Sequence, residues 1–258
     1  MAGARPRTAV RTAVVWEVLR EALSALAPDG PGKDDTGKDD TVLSVLDAGG
    51  GTGGFAVPLA ELGHRVTVVD PSPDSLAALE RRAAESGTSA AIRAVQGDAA
   101  GLADLVPAGS VDLVLCHSVL EVVDDPATAL AAVAAVLRPG GMASILAANR
   151  VAAVVARVAA GRLGEARRLL ADPAGWAGDG DPLARRFTVE ELSALITAAG
   201  LRPRLVHGVR VFADVVPAAL VDGDPDAARD LLALEHAAAE RPDYIAVAAQ
   251  VHVLADRV

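Results

Sequence analysis

The stretch Asp47-Ala48-Gly49-Gly50-Gly51-Thr52-Gly53 decides the fold of this 258-residue chain. It follows the apolar run Val42 to Leu46, which is too short for a helix and is typical of a strand buried on both faces of a parallel sheet. Glycine permits a tight turn and lets a ligand approach the backbone closely. The stretch therefore predicts a strand, then a ligand-binding turn, then a helix that starts near Gly54.

The strand pattern recurs along the chain and alternates with helical stretches. Crossovers of this length demand parallel pairing of the strands. We therefore predict an α/β fold with a Rossmann-like, doubly wound, seven-stranded sheet whose last strand is antiparallel. The predicted strands are Val42 to Leu46, Arg65 to Val69, Ile92 to Val95, Val111 to Leu115, Met142 to Ala147, Leu205 to Phe212 and Tyr244 to Leu254. The predicted helices are Arg11 to Leu26, Gly54 to Leu62, Ser72 to Glu85, Pro126 to Leu137, Val189 to Ala199 and Pro225 to Glu240.

The length suits one domain, which we expect to cover residues 1–258.

Two segments depart from the alternation of strands and helices. Residues 28–41 contain a tandem copy of Gly-Lys-Asp-Asp-Thr without one apolar side chain, which predicts a flexible surface loop. Residues 149–187 combine arginine-bearing helical sequence with a loop rich in Gly, Asp and Pro. This helical insertion follows the fifth strand, at the strand ends where ligands bind, and we predict that it caps the substrate.

Acidic residues follow three consecutive predicted strands. Asp47 ends the first strand, and Asp70 ends the second, where a ribose diol needs an acceptor pair. Helix capping by Ser72, with Asp70 merely turning the chain, is the alternative. Asp98 and Ala99 follow the third strand, where a carboxylate can accept from an adenine amine while backbone amides meet the ring. The three acids together predict a ligand that contains a ribose and an adenine.

Four parts of the sequence together carry a family resemblance: Val42 to Gly53, Asp70, Gly97-Asp98 and Leu137-Arg138-Pro139-Gly140-Gly141. They resemble class I S-adenosylmethionine-dependent methyltransferases along some two-thirds of the chain. The glycine spacing Asp-x-Gly-x-Gly-x-Gly differs from the GxGxxG spacing of dinucleotide-binding folds. The resemblance implies S-adenosyl-L-methionine as the cofactor, and the residues predicted to bind it are Asp47, Gly49, Gly51, Gly53, Asp70, Asp98, Ala99 and His117.

A second set of segments, spread over almost the whole chain, carries a narrower resemblance. The segments are Arg11 to Trp16, His117 to Pro126, Gly208 to Asp214, Leu231 to Glu235, Arg241 to Ile245 and Val251 to Val253. With them the chain is similar to the tRNA 5-carboxymethoxyuridine methyltransferases, which methylate the carboxylate on a modified wobble uridine. This resemblance implies tRNA as the partner and implies that Arg11 holds the carboxylate of the cofactor.

The chemistry of the acceptor points to two candidate catalytic residues. A carboxylate is already ionised at neutral pH, so its site needs a cation and no base. The arginine fork binds both carboxylate oxygens, and we predict this role for Arg210. An arginine stem packed on a strand edge is the alternative.

His117 follows the fourth strand and would serve as a base for a hydroxyl or amine acceptor. Alternatively, it is simply hydrogen-bonded to the backbone. Arg150 and the other arginines of the insertion would contact tRNA phosphates or form a solvated helix face.

Composition and charge limit the classes of function that remain open. The net charge of −10 and the pI near 4.9 argue against general binding of nucleic acid. No apolar stretch has the length of a membrane span, and the N-terminal segment lacks the apolar run of a signal peptide, so we expect a cytoplasmic protein. Scattered histidines predict no metal site. The single cysteine, Cys116, lies in an apolar run and is expected to be a buried, inert thiol.

Three alternatives stay open at this point. The first is a methyltransferase that acts on a small metabolite through a carboxyl, hydroxyl or amine group. The second is a nucleotide-binding oxidoreductase with a Rossmann sheet. The third is a protein that binds the cofactor without catalysis.

Overall fold

The computed structural model describes residues 6–27 and 42–258. The predicted flexible loop at 28–41 lies outside the described residues. The helices are α1 (Pro6–Leu26), α2 (Ala56–Glu61), α3 (Pro73–Ser86), α4 (Leu102–Leu105), α5 (Pro126–Val136), α6 (Arg150–Ala159), α7 (Leu163–Ala171), α8 (Val189–Ala198), α9 (Ala218–Gly223), α10 (Pro225–Ala239) and α11 (Pro242–Ile245).

The strands form one sheet in the order β3-β2-β1-β4-β5-β7-β6. They are β1 (Ser44–Ala48), β2 (Arg65–Asp70), β3 (Ile92–Gln96), β4 (Val111–His117), β5 (Leu137–Ala148), β6 (Leu201–Val209) and β7 (Gln250–Arg257). The sheet is mixed, and its last strand is antiparallel, as predicted. Strand order reverses between β1 and β4, which is the position where open α/β sheets bind their ligands.

The parallel register places the predicted acids at one edge of the sheet. Asp47 lies opposite Val68 of β2 and Leu115 of β4. Asp70, at the end of β2, lies opposite Gln96 of β3. The apolar residues of β1 are fully buried, which explains why its sequence is a continuous apolar run.

Helix starts follow one sequence rule in three places. A polar residue accepts a hydrogen bond from the backbone of the first turn, and the next residue is a proline whose missing N–H is not needed there. Ser72 caps α3 through Ser75 N, at 3.2 Å, and Asp224 caps α10 through Asp226 N, at 2.9 Å. Asp125 caps α5 in the same way. These caps explain why the predicted starts of α3, α5 and α10 lie within one residue of the observed ones.

Several predicted boundaries were wrong near proline and glycine. Strand β5 begins at Leu137 and runs through the Pro139-Gly140-Gly141 segment, which we expected to precede the strand. Strand β6 ends at Val209, because Arg210 adopts a left-handed backbone with φ of 60°. Residues 242–245 are helical, because Pro242 starts α11. The strand expected from Tyr244 therefore begins only at Gln250.

The described chain divides into two compact units. The first, here the core unit, comprises residues 20–27, 42–145, 195–202 and 255–258. The second, here the arginine unit, comprises residues 6–19, 146–194 and 203–254. That the full chain forms one domain stays a prediction.

Candidate active site

The glycine-rich turn adopts backbone conformations that only glycine tolerates well. Gly49, Gly51 and Gly53 have φ of 74°, 54° and 79°. A Cβ on Gly49 or Gly53 would lie 2.3 Å from a side-chain carbon of Val119 or Leu79. A Cβ on Gly51 would meet only a carboxylate oxygen, at 3.8 Å. The turn is therefore packed at two of its glycines, and Gly51 is where a ligand has room to approach the backbone.

Asp70 ties this turn to the end of β2. Its Oδ2 accepts a hydrogen bond from the backbone N–H of Gly51, at 2.9 Å, and its Oδ1 accepts from Ser72 N, at 2.9 Å. An ionised carboxylate has about four acceptor positions, so each oxygen keeps capacity for a further donor. Ser72 also caps α3, as the alternative interpretation expected. The predicted contact of Asp70 with a ribose stays a prediction.

Asp47 is a buried carboxylate, and one of its two oxygens has no hydrogen-bond donor among the described residues. It is 3% exposed, and that oxygen is Oδ2. Burial, and then the charge of Asp70, raises the pKa of Asp47 to about 7. Buried carboxylates are ordinarily paired with a donor or a cation. A ligand that carries positive charge, as S-adenosylmethionine does on its sulfonium and its ammonium, therefore fits this edge of the sheet.

Asp98 and Ala99 follow β3 at the same edge. Asp98 is exposed, and its Oδ1 accepts from Gly101 N at 2.8 Å, which closes a turn. Ala99 is buried. The core unit thus brings together the acids and glycines that the sequence singled out, while their contacts with a cofactor stay predictions.

His117 ends β4 and contacts Ser144 and Phe55. Its Nε2 lies 2.8 Å from Ser144 Oγ, and the ring of Phe55 meets the imidazole edge-on with centroids 4.8 Å apart. Burial lowers the pKa of His117 to about 3. The ring is therefore neutral at physiological pH and is a weak proton acceptor, which argues against its predicted role as a base. Sequence reasoning missed Ser144 and Phe55, since neither lies in a recognised motif.

Cys116 precedes His117 and is fully buried. Burial, with smaller contributions from the charges of Glu121 and Asp47, raises the pKa of its thiol to about 12. A thiol with this pKa is inert at neutral pH, as the sequence predicted.

The arginine unit joins the two other predicted arginines on one carboxylate. Arg11 Nη2 donates to Asp214 Oδ1 at 2.8 Å, and Arg210 Nη2 donates to Asp214 Oδ2. Arg210 Nη1 also donates to Gln250 Oε1, at 3.2 Å. The Nε of Arg210 is buried and has no hydrogen-bond partner among the described residues. Two guanidinium groups therefore share one carboxylate here.

Sequence reasoning did not assign Asp214 or Gln250 to the site. Asp214 closes the Gly208 to Asp214 segment of the narrower resemblance, which is the one signal that could have found it. Arg11 and Asp214 are 203 positions apart in the chain. No local pattern reports a contact over that separation.

The arginines of the insertion are largely used within the insertion and by α8. Arg150 pairs with Glu191, and Arg186 makes a bidentate, buried pair with Asp181 at 2.6 and 2.7 Å. Burial opposes ionisation of Asp181, but its hydrogen bonds from Arg186 and from backbone amides lower its pKa to about 2. These arginines hold the insertion together, which leaves fewer of them for phosphate contacts.

Two further observations concern only the described residues. Within residues 6–27 and 42–258, no group of three or more His, Cys, Asp or Glu side chains is arranged to hold a metal ion. In the same residues, no helix has the length and apolar character needed to cross a membrane.

The model of one protein family, described as a methyltransferase domain, matches residues 46–145. Those residues contain every predicted cofactor-binding residue except Arg11. This segment is similar to methyltransferase domains. Its match favours a methyltransferase over the alternative of an oxidoreductase.

Curated relatives of the chain include two kinds of methyltransferase. The chain is 34% identical over 137 residues to the tRNA 5-carboxymethoxyuridine methyltransferase of Escherichia coli strain K12, which covers 53% of this chain and 48% of that protein. It is 37% identical over 165 residues to the ubiquinone biosynthesis O-methyltransferase of Methylocella silvestris, which covers 62% of this chain and 58% of that protein. The chain thus spans about half the length of the curated relatives it matches.

Solved methyltransferase structures share the fold. A SAM-dependent methyltransferase from Methanosarcina mazei superposes with a TM-score of 0.58 at 18% identity, over 84% of this chain and 93% of that one. An S-adenosylmethionine-dependent methyltransferase from Mesorhizobium loti gives a TM-score of 0.55 at 19% identity, over 92% and 96%. The predicted resemblance and fold class are confirmed, and the predicted enzyme class and cofactor are supported.

Proposed function

We propose that this protein is an S-adenosyl-L-methionine-dependent methyltransferase that methylates the carboxylate of 5-carboxymethoxyuridine at the wobble position of tRNA. The similarity of residues 46–145 to methyltransferase domains and the 34% identical relative from Escherichia coli support this proposal. The observation that carries it is the guanidinium of Arg210, which shares the Asp214 carboxylate with Arg11 and whose buried Nε has no hydrogen-bond partner among residues 6–27 and 42–258.

The core unit holds the cofactor in this proposal. Gly51 offers its open backbone, Asp70 accepts from the ribose, and Asp98 with Ala99 meets the adenine. Asp47 supplies negative charge at the edge where the cationic part of the ligand lies. When bound, S-adenosylmethionine supplies a methyl group on a sulfonium, ready for in-line displacement. The task of the protein is to place the acceptor and to exclude water.

The acceptor is proposed to be a carboxylate because the site suits an ionised nucleophile. A hydroxyl acceptor needs a base of suitable pKa, and His117, with its pKa lowered to about 3, is a poor one. A carboxylate needs only an oriented cation. Arg210 supplies this cation, with its two Nη atoms held by Asp214 and Gln250. Arg11 holds the carboxylate of the cofactor in this scheme, and the insertion at 149–187 covers the substrate.

A small-molecule acceptor is the second candidate. The relative from Methylocella silvestris is 37% identical and is an O-methyltransferase of ubiquinone biosynthesis. The insertion also presents an apolar helix face, since Val151, Val155 and Val158 of α6 are 41%, 57% and 51% exposed. This apolar face, and the pairing of the arginines within the insertion, suit an apolar acceptor better than the phosphate backbone of tRNA.

The test is methyl transfer to a defined tRNA. The purified protein is incubated with labelled S-adenosylmethionine and tRNA that carries 5-carboxymethoxyuridine, and the digested nucleosides are examined by mass spectrometry for the methyl ester. We expect ester formation by the wild type and loss of turnover in Arg210→Ala with cofactor affinity retained in calorimetry.

Arg229→Ala is the matched control, because Arg229 is an exposed arginine paired only with Asp226 in the described structure. Normal turnover of Arg210→Ala would remove Arg210 from the acceptor site. Binding of the cofactor without ester formation would redirect the search to small carboxylates and quinone-like metabolites.

A further inference from the structure

Glu235 is a buried carboxylate that is bonded to three consecutive backbone amides. It lies on α10 and is 1% exposed. Its Oε2 accepts from Val211 N at 2.9 Å, and its Oε1 accepts from Phe212 N at 2.9 Å and from Ala213 N at 2.7 Å. Hydrogen bonds to an ionised acceptor are stronger than neutral ones. Glu235 therefore fixes the path of the backbone from 211 to 213.

That segment begins directly after Arg210, whose backbone is strained. Arg210 has φ of 60°, in the left-handed region that residues with a Cβ seldom adopt. Such a conformation persists only where the surroundings hold it. The three amides bonded to Glu235 come immediately after Arg210 in the chain, so they hold the backbone on its C-terminal side.

The direction of the Arg210 guanidinium depends on this backbone. Its two hydrogen-bond acceptors are the carboxylate of Asp214 and the side-chain oxygen of Gln250. Asp214 follows the amide segment by one residue. Movement of residues 211–213 would therefore displace both Arg210 and the carboxylate that orients it.

Packing alone does not require a charge at position 235. Val211 packs with Ala238 and Ala248, and Ala213 packs with Val10, Val221 and Leu231. Apolar contacts already anchor the side chains of the segment. A buried carboxylate is a costly way to add stability, because it must be taken out of water. Its specific contribution is to the three backbone N–H groups.

We infer that Glu235 is a positioning residue that sets the conformation of Arg210 and thereby the binding of the acceptor carboxylate. The inference rests on the proposed role of Arg210. It assigns to Glu235 no contact with the acceptor or the cofactor.

The first test compares Glu235→Gln with Asp230→Asn in the full chain. Glutamine keeps the length of the side chain but presents one NH₂ group to a backbone donor, so at least one of the three hydrogen bonds is lost. Asp230 lies on the same helix and is exposed, so its substitution makes the same change of charge. We expect the KM for tRNA carrying 5-carboxymethoxyuridine to rise about tenfold in Glu235→Gln, as for one lost bond to a charged group. We expect kcat and the calorimetric affinity for S-adenosylmethionine to stay near those of the wild type, and Asp230→Asn to match the wild type throughout.

A double-mutant cycle separates positioning from general destabilisation. Arg210→Lys keeps a positive charge without the fork. If Glu235 acts through Arg210, Glu235→Gln will raise the KM far less in the Arg210→Lys background than in the wild type. Equal, additive effects in both backgrounds would overturn the inference. Glu235→Asp, which keeps the charge on a shorter side chain, repeats the cycle if Glu235→Gln does not fold by circular dichroism.

A third readout does not need activity. The ¹⁵N–¹H signal of Arg210 Nε is assigned by its loss in Arg210→Ala. We expect it to shift in Glu235→Gln and to stay in place in Asp230→Asn. An unmoved signal in Glu235→Gln would refute the positioning role. A shifted signal in a protein that methylates no carboxylate would leave the positioning role standing and refute the proposed function.

Discussion

Replacing the buried acid of the glycine-rich turn should change how stability depends on pH. Burial and the charge of Asp70 raise the pKa of Asp47 from 3.8 to about 7. Between these two values the unfolded chain has lost this proton and the folded chain has kept it. The contribution of Asp47 to stability is therefore complete below pH 3.8 and is lost as the pH rises through about 7.

The magnitude follows from the two pKa values. Each unit of pKa difference corresponds to 1.36 kcal/mol, so the full loss amounts to about 4 kcal/mol. About 3 kcal/mol of it falls between pH 5 and pH 8. Asp47→Asn has no proton to lose. Its free energy of unfolding relative to that of the wild type should therefore rise by about 3 kcal/mol over this range.

Urea unfolding followed by circular dichroism at pH 5, 6, 7 and 8, without cofactor, measures this difference. Glu80→Gln serves as the control, because Glu80 is exposed on α3 and should give a profile parallel to that of the wild type. Asp70→Asn should flatten the wild-type profile in part, since the charge of Asp70 contributes to the raised pKa of Asp47. Parallel profiles for Asp47→Asn and the wild type would show that Asp47 is ionised at low cost and would refute the reasoning.

Two other predictions concern the turn and the insertion. Gly51→Val should abolish binding of S-adenosylmethionine in calorimetry, because Gly51 has φ of 54° and its open side is where the ligand approaches; Gly54→Ala, whose Cβ would meet nothing within 4 Å, should bind as the wild type does. Equal affinities in both variants would place the cofactor elsewhere. Arg186→Met should lower the free energy of unfolding by about 3 to 5 kcal/mol in urea, because it leaves the buried carboxylate of Asp181 without its bidentate partner. A loss below about 1 kcal/mol would show that water reaches Asp181.

The sequence predicted the sheet and the cofactor edge because their signals are local. Asp47 and Asp70 lie at the ends of β1 and β2, and Asp98 follows β3 by two residues. The parallel register brings these strand ends to one edge. The predicted boundaries of strands and helices were wrong near proline and glycine, because these residues occur both in turns and within or at the start of regular elements. Pro139 was expected to precede the fifth strand but lies inside β5. Pro242 starts a helix that takes up Tyr244 and Ile245, the first residues of an expected strand.

The arginine cluster was only half predictable. Arg11 was predicted from resemblance and Arg210 from the chemistry of a carboxylate acceptor. Their meeting on Asp214 depends on a fold that closes 203 positions of chain. The role of Glu235 depends on the backbone conformation of residues 210–213, which side-chain patterns do not report. Sequence periodicity records burial, and it does not record which backbone amides a buried carboxylate meets.

The burial of Cys116 makes the protein convenient for site-specific spectroscopy. The chain has one cysteine, and its thiol has a pKa near 12 and no exposed surface. At pH 7 only about one thiol in 10⁵ is ionised, so maleimide reagents react with it extremely slowly. A cysteine introduced on α6 would therefore take up a spin label or fluorophore alone, without removal of the native residue. The surroundings of α6 with and without cofactor can thus be compared in an otherwise unaltered protein.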